Sequence, residues 1–119
     1  MANNRPDFVT DAQRDFCSKY SLLAHRNDDW AALIYLLGID QTCREHAAEI
    51  IQGGELQMDS LHAPWQTTGS LATMRLAFNL FGYTVPDGED PDDYAVKALF
   101  SHIDEEHRAA FVQAIYYFA

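Results

Sequence analysis

The sequence predicts an all-α fold, a compact single-domain bundle of about five to six helices. Three observations predict it. No alternating run of β-branched residues persists along the 119 residues, so a sheet has little to build on. Apolar residues recur instead at three- and four-residue spacing, and capping residues precede these runs while glycines follow them. The apolar content of 48% suffices for one modest core, and the length suits one domain over residues 1–119.

Thr10 followed by Gln13 resembles a capping box. Ala12, Phe16, Tyr20 and Leu23 then recur at helical spacing, which predicts a first helix from about Asp11 to Ala24. Asn27, Asp28 and Asp29 suit a second helix N-terminus. That helix runs through Trp30, Leu33, Ile34 and Leu37 and stops at Gly38. Asp40 caps a third, which places Cys43, His46, Ala47, Ile50 and Ile51 on one side and ends at Gly53-Gly54. From Glu55 to Pro64 the periodicity fails, predicting a partly ordered connection with Leu56, Met58 and Leu61 tucked under the domain edge. The fourth helix, from Gly69 or Ser70 to Phe81, has almost no polar face and is therefore buried; Gly82 closes it. A Pro-Asp-Gly turn follows, then Asp90 and Pro91 as cap and first residue of a short helix through Tyr94, Leu99 and Phe100. The last helix begins at Ser101 or Asp104. Ile103, Ala110, Phe111, Ala114, Ile115 and Phe118 give it an apolar stripe that docks on the core.

Eighteen acids against eight bases give a formal charge of −10, and the bases, from Arg5 to Arg108, stand singly. Such a chain repels phosphates and anionic lipid, so direct nucleic-acid binding is excluded and a basic protein surface is the partner that charge favours. No apolar run long enough to cross a bilayer exists, and MANNRPDF has neither a basic nor an apolar leader region, which predicts no membrane segment and a cytoplasmic location. Cys17 and Cys43 lack paired spacing and read as two free thiols in a reducing compartment.

Two constellations are candidate sites. Asp87, Glu89, Asp90, Asp92 and Asp93 put five carboxylates into seven positions, which makes an acidic patch for a basic partner, with Trp65 as an aromatic anchor. In the fourth helix Arg75 and Asn79 share a stripe, and Thr67, Thr68 and Ser70 lie at its N-terminus; together they could form an anion or small-ligand pocket. The alternative for Arg75 is a structural ion pair, with the third and fourth helices packed around it. Cys43 and His46 share a face but are only two ligands, His102 and His107 do not share one, and the acidic run lacks the order of a calcium loop, so no metal and no cofactor is expected. No P-loop, dinucleotide turn, HExxH or GxSxG element is present, which removes the motif-defined enzyme classes.

The segments ALIYLLGID, TCREHAAEI, LHAPWQTTGS and RLAFNLFG resemble a family of small uncharacterised proteins encoded by bacteriophages and prophages. The resemblance divides the chain into an N-terminal extension helix over 1–27 and a family-like core over 28–119. It implies a protein acting in a bacterial host cytoplasm and carries over no catalytic residue. The expected function is a small acidic interaction protein that inhibits a host defence system, of the anti-CRISPR type, by binding a basic, nucleic-acid-handling surface. The rivals are a ligand-binding or enzymatic domain at the Trp65–Ser70 turn with Arg75 and Asn79, and a phage assembly accessory that oligomerises through Tyr116, Tyr117 and Phe118.

Overall fold

A computed structural model of the chain describes residues 6–119, so Arg5 and the first residues of MANNRPDF lie outside it. Among the described residues there are eight α-helices: α1 (Asp11–Lys19), α2 (Ser21–Ala24), α3 (Asp28–Leu37), α4 (Gln41–Glu45), α5 (Ala47–Ile50), α6 (Thr68–Phe78), α7 (Val96–Phe100) and α8 (Glu105–Phe118). A hairpin of β1 (Ile51–Gln52) and β2 (Glu55–Leu56), 3-10 turns at Met58–His62 and Pro91–Tyr94, and a π-helical turn at Asn79–Tyr83 complete it. The fold is mostly helical, and its α-helices are more numerous than the five to six expected because two of them are each divided in two.

The first predicted helix divides at Tyr20, whose φ of −103° and ψ of 25° leave the helical region, and its ring packs 4.7 Å from that of Phe16. The third divides at His46 in the same way, with φ of −111° and ψ of 17°. It does not then fade out at the glycines. Gly53 and Gly54 both take positive φ, 61° and 75°, which is the two-residue turn that joins strands with their natural twist. Ile51 therefore pairs with Leu56 in an antiparallel register, and the predicted irregular connection becomes a strand followed by a 3-10 turn. The fourth helix ends as an α-helix at Phe78 rather than Phe81, and the short helix after the acidic run splits into a 3-10 turn and α7.

The most enclosed element is α3, not α6. Leu33, Ile34, Leu36 and Leu37 are fully buried on every side of α3, because α1 and α2 cover one flank while α6 and α8 cover the others. Met74 and Phe78 from α6 and Phe111 from α8 fill the remaining space with no exposed surface. Burying each such side chain contributes about 1.5–3 kcal/mol. Close approach of α1 explains Gly38 at the end of α3: a Cβ there would lie 3.2 Å from Gln13 Cγ and 3.2 Å from Phe16 Cδ2. Gln13 is itself fully buried; its amide donates to the Tyr35 carbonyl at 2.9 Å and its carbonyl accepts from the Val9 amide at 2.7 Å. Among the described residues no helix is long and apolar enough to cross a membrane.

Candidate functional site

The two sequence-predicted constellations meet in one place. Arg75 leaves the middle of α6 and reaches the acidic run, not the third helix: its Nη2 lies 3.4 Å from Asp93 Oδ2 and its Nε 4.0 Å from Glu89 Oε1. Nε is buried and makes no hydrogen bond, so its pairing with Glu89 is purely one of charge. Glu89 finds its hydrogen bonds elsewhere. The Tyr94 hydroxyl donates to Oε1 at 3.0 Å, and His62 Nε2 lies 3.2 Å from Oε2. The Glu89 side chain is only 8% exposed, so a carboxylate from the run sits at the base of a five-membered cluster. The Arg75 guanidinium also lies 6.0 Å from the Tyr94 ring. Burial, reinforced by the Glu89 carboxylate, pushes the Tyr94 phenol well above its ordinary range, which fixes it as a donor.

The run is thus divided. Glu89 and Asp93 turn inward, while Asp87, Asp90 and Asp92 are exposed and, among the described residues, have no cationic side chain within ion-pairing distance. Asp90 accepts the Asp92 amide at 3.0 Å and so starts the 3-10 turn that aims Asp93 and Tyr94 at Arg75. Beside the cluster a cleft of about 330 Å³ opens between the 3-10 turn at Met58–His62 and the loop over residues 83–89. Met58, Leu61 and Val85 supply apolar walls, and Asp59, Asp87 and Glu89 supply carboxylates. Tyr83, 43% exposed, forms part of its rim.

The groups predicted for an anion pocket are engaged in local structure. Thr67 and Ser70 form a reciprocal capping box at the start of α6, with the Ser70 amide donating to Thr67 Oγ1 at 3.0 Å and the Thr67 amide to Ser70 Oγ at 2.8 Å. Ser70 Oγ also donates to Gln66 Oε1. Asn79 donates its amide to the Thr84 carbonyl at 2.7 Å. That bond closes the π-helical turn around Thr84, the one non-glycine with positive φ among the described residues, at 56°. Thr68 is exposed, at the edge of a hollow of about 310 Å³ that also carries Arg75, Ser101 and His102. Trp65 is half-buried and stacks flat on His46, 4.2 Å between ring centroids and 4° between planes; His46 in turn approaches Glu49 at 3.2 Å. Cys43 is fully buried behind α6, where desolvation drives its thiol well above the ordinary range, and Cys17 is pushed by burial to about 12. Neither thiol ionises near neutrality, and among the described residues no group of three His, Cys, Asp or Glu side chains is placed to hold a metal ion.

Sequence reasoning missed a third constellation. His107, on the first turn of α8, places Nε2 2.8 Å from Asp40 Oδ1 and Nδ1 2.7 Å from Asp104 Oδ1. Asp40 and Asp104 were visible only as helix caps, a role both keep: Asp40 accepts the Cys43 amide at 2.8 Å, and Asp104 accepts that of His107 at 2.8 Å. The local signal was the Asp104-x-x-His107 spacing; nothing local pointed to Asp40, 67 residues away.

A family of unknown function, DUF6075, matches the chain over residues 4–117, so the chain belongs to that family. The match takes in α1 and α2 as well as the region from Trp30 onward. No curated protein and no solved structure matches the chain.

Proposed function

We propose that this member of the family is a non-enzymatic interaction module that binds a basic protein surface, one that itself handles nucleic acid. The contact face comprises the outward acids Asp87, Asp90 and Asp92 with Asp59 across the cleft, and Tyr83 at its rim. The observation that carries the reading is the division of the acidic run. Glu89 and Asp93 are consumed by Arg75, which anchors the loop, and the remaining three carboxylates are held outward without cationic partners among the described residues. Charges so placed add little to folding but attract a basic partner and align it during encounter. The ligand-pocket reading has less support, since Arg75, Asn79, Thr67 and Ser70 are occupied by one another's neighbours. In the setting that the resemblance to phage and prophage proteins implies, the module acts in a bacterial cytoplasm as an inhibitor of a host defence system, of the anti-CRISPR type.

The test compares wild type with an Asp87→Asn, Asp90→Asn, Asp92→Asn variant as immobilised baits in bacterial lysate. Basic proteins retained by the wild type, lost from the variant and released by moderate salt are the expected result, because screening acts over about 10 Å at 0.1 M ionic strength. An identical set of proteins on both baits, with identical salt release, would overturn the reading.

A further inference from the structure

His107 is held from both sides. An ionised carboxylate can only accept hydrogen bonds, so Asp40 and Asp104 together require protons on both ring nitrogens, and the array is complete only with an imidazolium. The two carboxylates come from different parts of the fold. Asp40, with a side chain 7% exposed, caps α4 at the end of the central α3, whereas Asp104, 63% exposed, caps α8 itself. We propose that the Asp40–His107–Asp104 array is a proton-operated latch: it ties the first turn of the C-terminal helix to the core through Asp40 and stiffens that turn through Asp104, and loss of the imidazolium proton releases the Asp104 arm while the Asp40 bond stays.

The surroundings leave these two acids in control of the ring. From α6 the nearest approach is Gly69, which brings no charge: a Cβ there would lie 3.8 Å from Nε2. From α8 itself the ring of Phe111 stands edge-on at 6.3 Å. The further ionisable groups on the α4 side are the Cys43 thiol, whose backbone amide binds Asp40, and Arg44, whose guanidinium is spent on the Gly38 carbonyl at 2.7 Å. On α8, Arg108 is turned to the Phe100 carbonyl at 3.3 Å.

The outcome of deprotonation follows from geometry. A neutral imidazole has one N–H, and the nitrogen that loses its proton faces a carboxylate with lone pair against lone pair. Asp40 is buried and its Oδ1 would lose its donor, the Cys43 amide serving only Oδ2, whereas Asp104 can rotate into water. The proton therefore leaves Nδ1 for solvent, Nε2–H stays on Asp40, and the Asp104 arm opens. The hydrogen bond from Asp40 raises the titration point of His107 above its ordinary 6.5 against the opposing effect of burial, and Asp104 adds to the rise. A raised folded-state value means that the latch is fully closed below 6.5 and is lost as pH rises through the titration point of the latched histidine.

The experiment follows the imidazole resonances of all five histidines by NMR in the intact protein and, alongside, amide hydrogen exchange in the first turn of α8. His107 should titrate above the ordinary imidazole value of 6.5. Protection of the His107 and Arg108 amides, which bond to Asp104, should fall as pH rises from 6.5 through the His107 titration point once corrected for the intrinsic pH dependence of exchange, by at most about tenfold per pH unit, the limit that one linked proton sets. Asp104→Asn supplies the control. Asparagine still caps α8 and carries no charge, so the pH dependence of protection in this variant should shrink to the part that Asp40 alone imposes. A His107 that titrates at or below 6.5, protection that ignores its titration, or the same pH dependence in Asp104→Asn would each overturn the latch.

Discussion

Arg75→Met deletes the guanidinium while keeping an unbranched apolar chain where the arginine stem packs. The carboxylate left behind sets the cost. Glu89, 8% exposed, would retain the Tyr94 hydroxyl and His62 but lose its one permanently charged partner. Breaking a fully buried ion pair costs about 3–5 kcal/mol. Here Arg75 is 23% exposed and its second partner, Asp93, is 47% exposed, so water screens part of the interaction and the expected loss is about 2–3 kcal/mol. With a urea dependence of about 1–3 kcal/mol per molar for a domain of this size, the unfolding midpoint should fall by about 1–2 M. Glu89→Gln removes the uncompensated charge. It should therefore cost stability in the wild type but restore about 1–2 kcal/mol in the Arg75→Met background, a coupling that a double-mutant cycle measures directly. Wild-type stability in Arg75→Met, or the same cost for Glu89→Gln in both backgrounds, would show that the cluster does not hold the acidic loop.

Two further substitutions test how the helices are fastened. Gln13→Leu fills the same volume but strands the Val9 amide and the Tyr35 carbonyl, and should cost about 1–3 kcal/mol by thermal unfolding; unchanged stability would mean that α1 is held to α3 by apolar packing alone. Thr67→Ala removes one half of the α6 capping box and should cost about 1 kcal/mol in urea unfolding. Wild-type stability there would assign the start of α6 to the Ser70–Gln66 hydrogen bond instead.

Helix starts were legible because a cap is a local device. Thr10, Asn27, Asp40, Asp90 and Asp104 each accept an amide two or three residues ahead, which is within reach of a spacing argument. Helix interruptions were not. Tyr20 and His46 lie within continuous apolar spacing; Tyr20 leaves the helix while its ring keeps a local contact with Phe16, four residues back, and His46 leaves it while its ring stacks on the distant Trp65. The hairpin escaped notice for a different reason: two-residue strands are too short to show alternation, so Gly53-Gly54 read as a helix stop rather than a turn. The candidate site was legible in its parts and not in its assembly. Spacing on a helix relates residues three or four apart, whereas Arg75 meets Glu89 and Asp93, fourteen and eighteen positions on. A five-acid run also looks uniform in sequence. Only the turn that starts at Asp90 separates the two carboxylates that fold inward from the three that do not.

The surplus of negative charge is a matter of allocation as much as of composition. Few as the arginines are, several do not neutralise carboxylates at all. Arg44 donates to the Gly38 carbonyl at the end of α3, Arg108 to the Phe100 carbonyl at the end of α7, and Arg26 to the Gly54 carbonyl of the hairpin turn while lying 4.8 Å over the Trp30 ring. The first two satisfy orphan acceptors at the negative ends of helices, where a cation is favoured locally. Arg14 and Arg75 differ: Arg14 lies 3.3 Å from Asp11 and 3.8 Å from Asp15 on α1, and Arg75 neutralises the inward part of the acidic run. Arg26, Arg44, Arg75 and Arg108 are therefore committed to holding helix ends, a turn and one loop in place, and the exposed acids of the run keep their full charge. A loop anchored by its own buried carboxylate, with its remaining acids uncompensated, presents those acids in a fixed geometry; a freely solvated acidic tail would have to be ordered on binding and would lose affinity to that entropy.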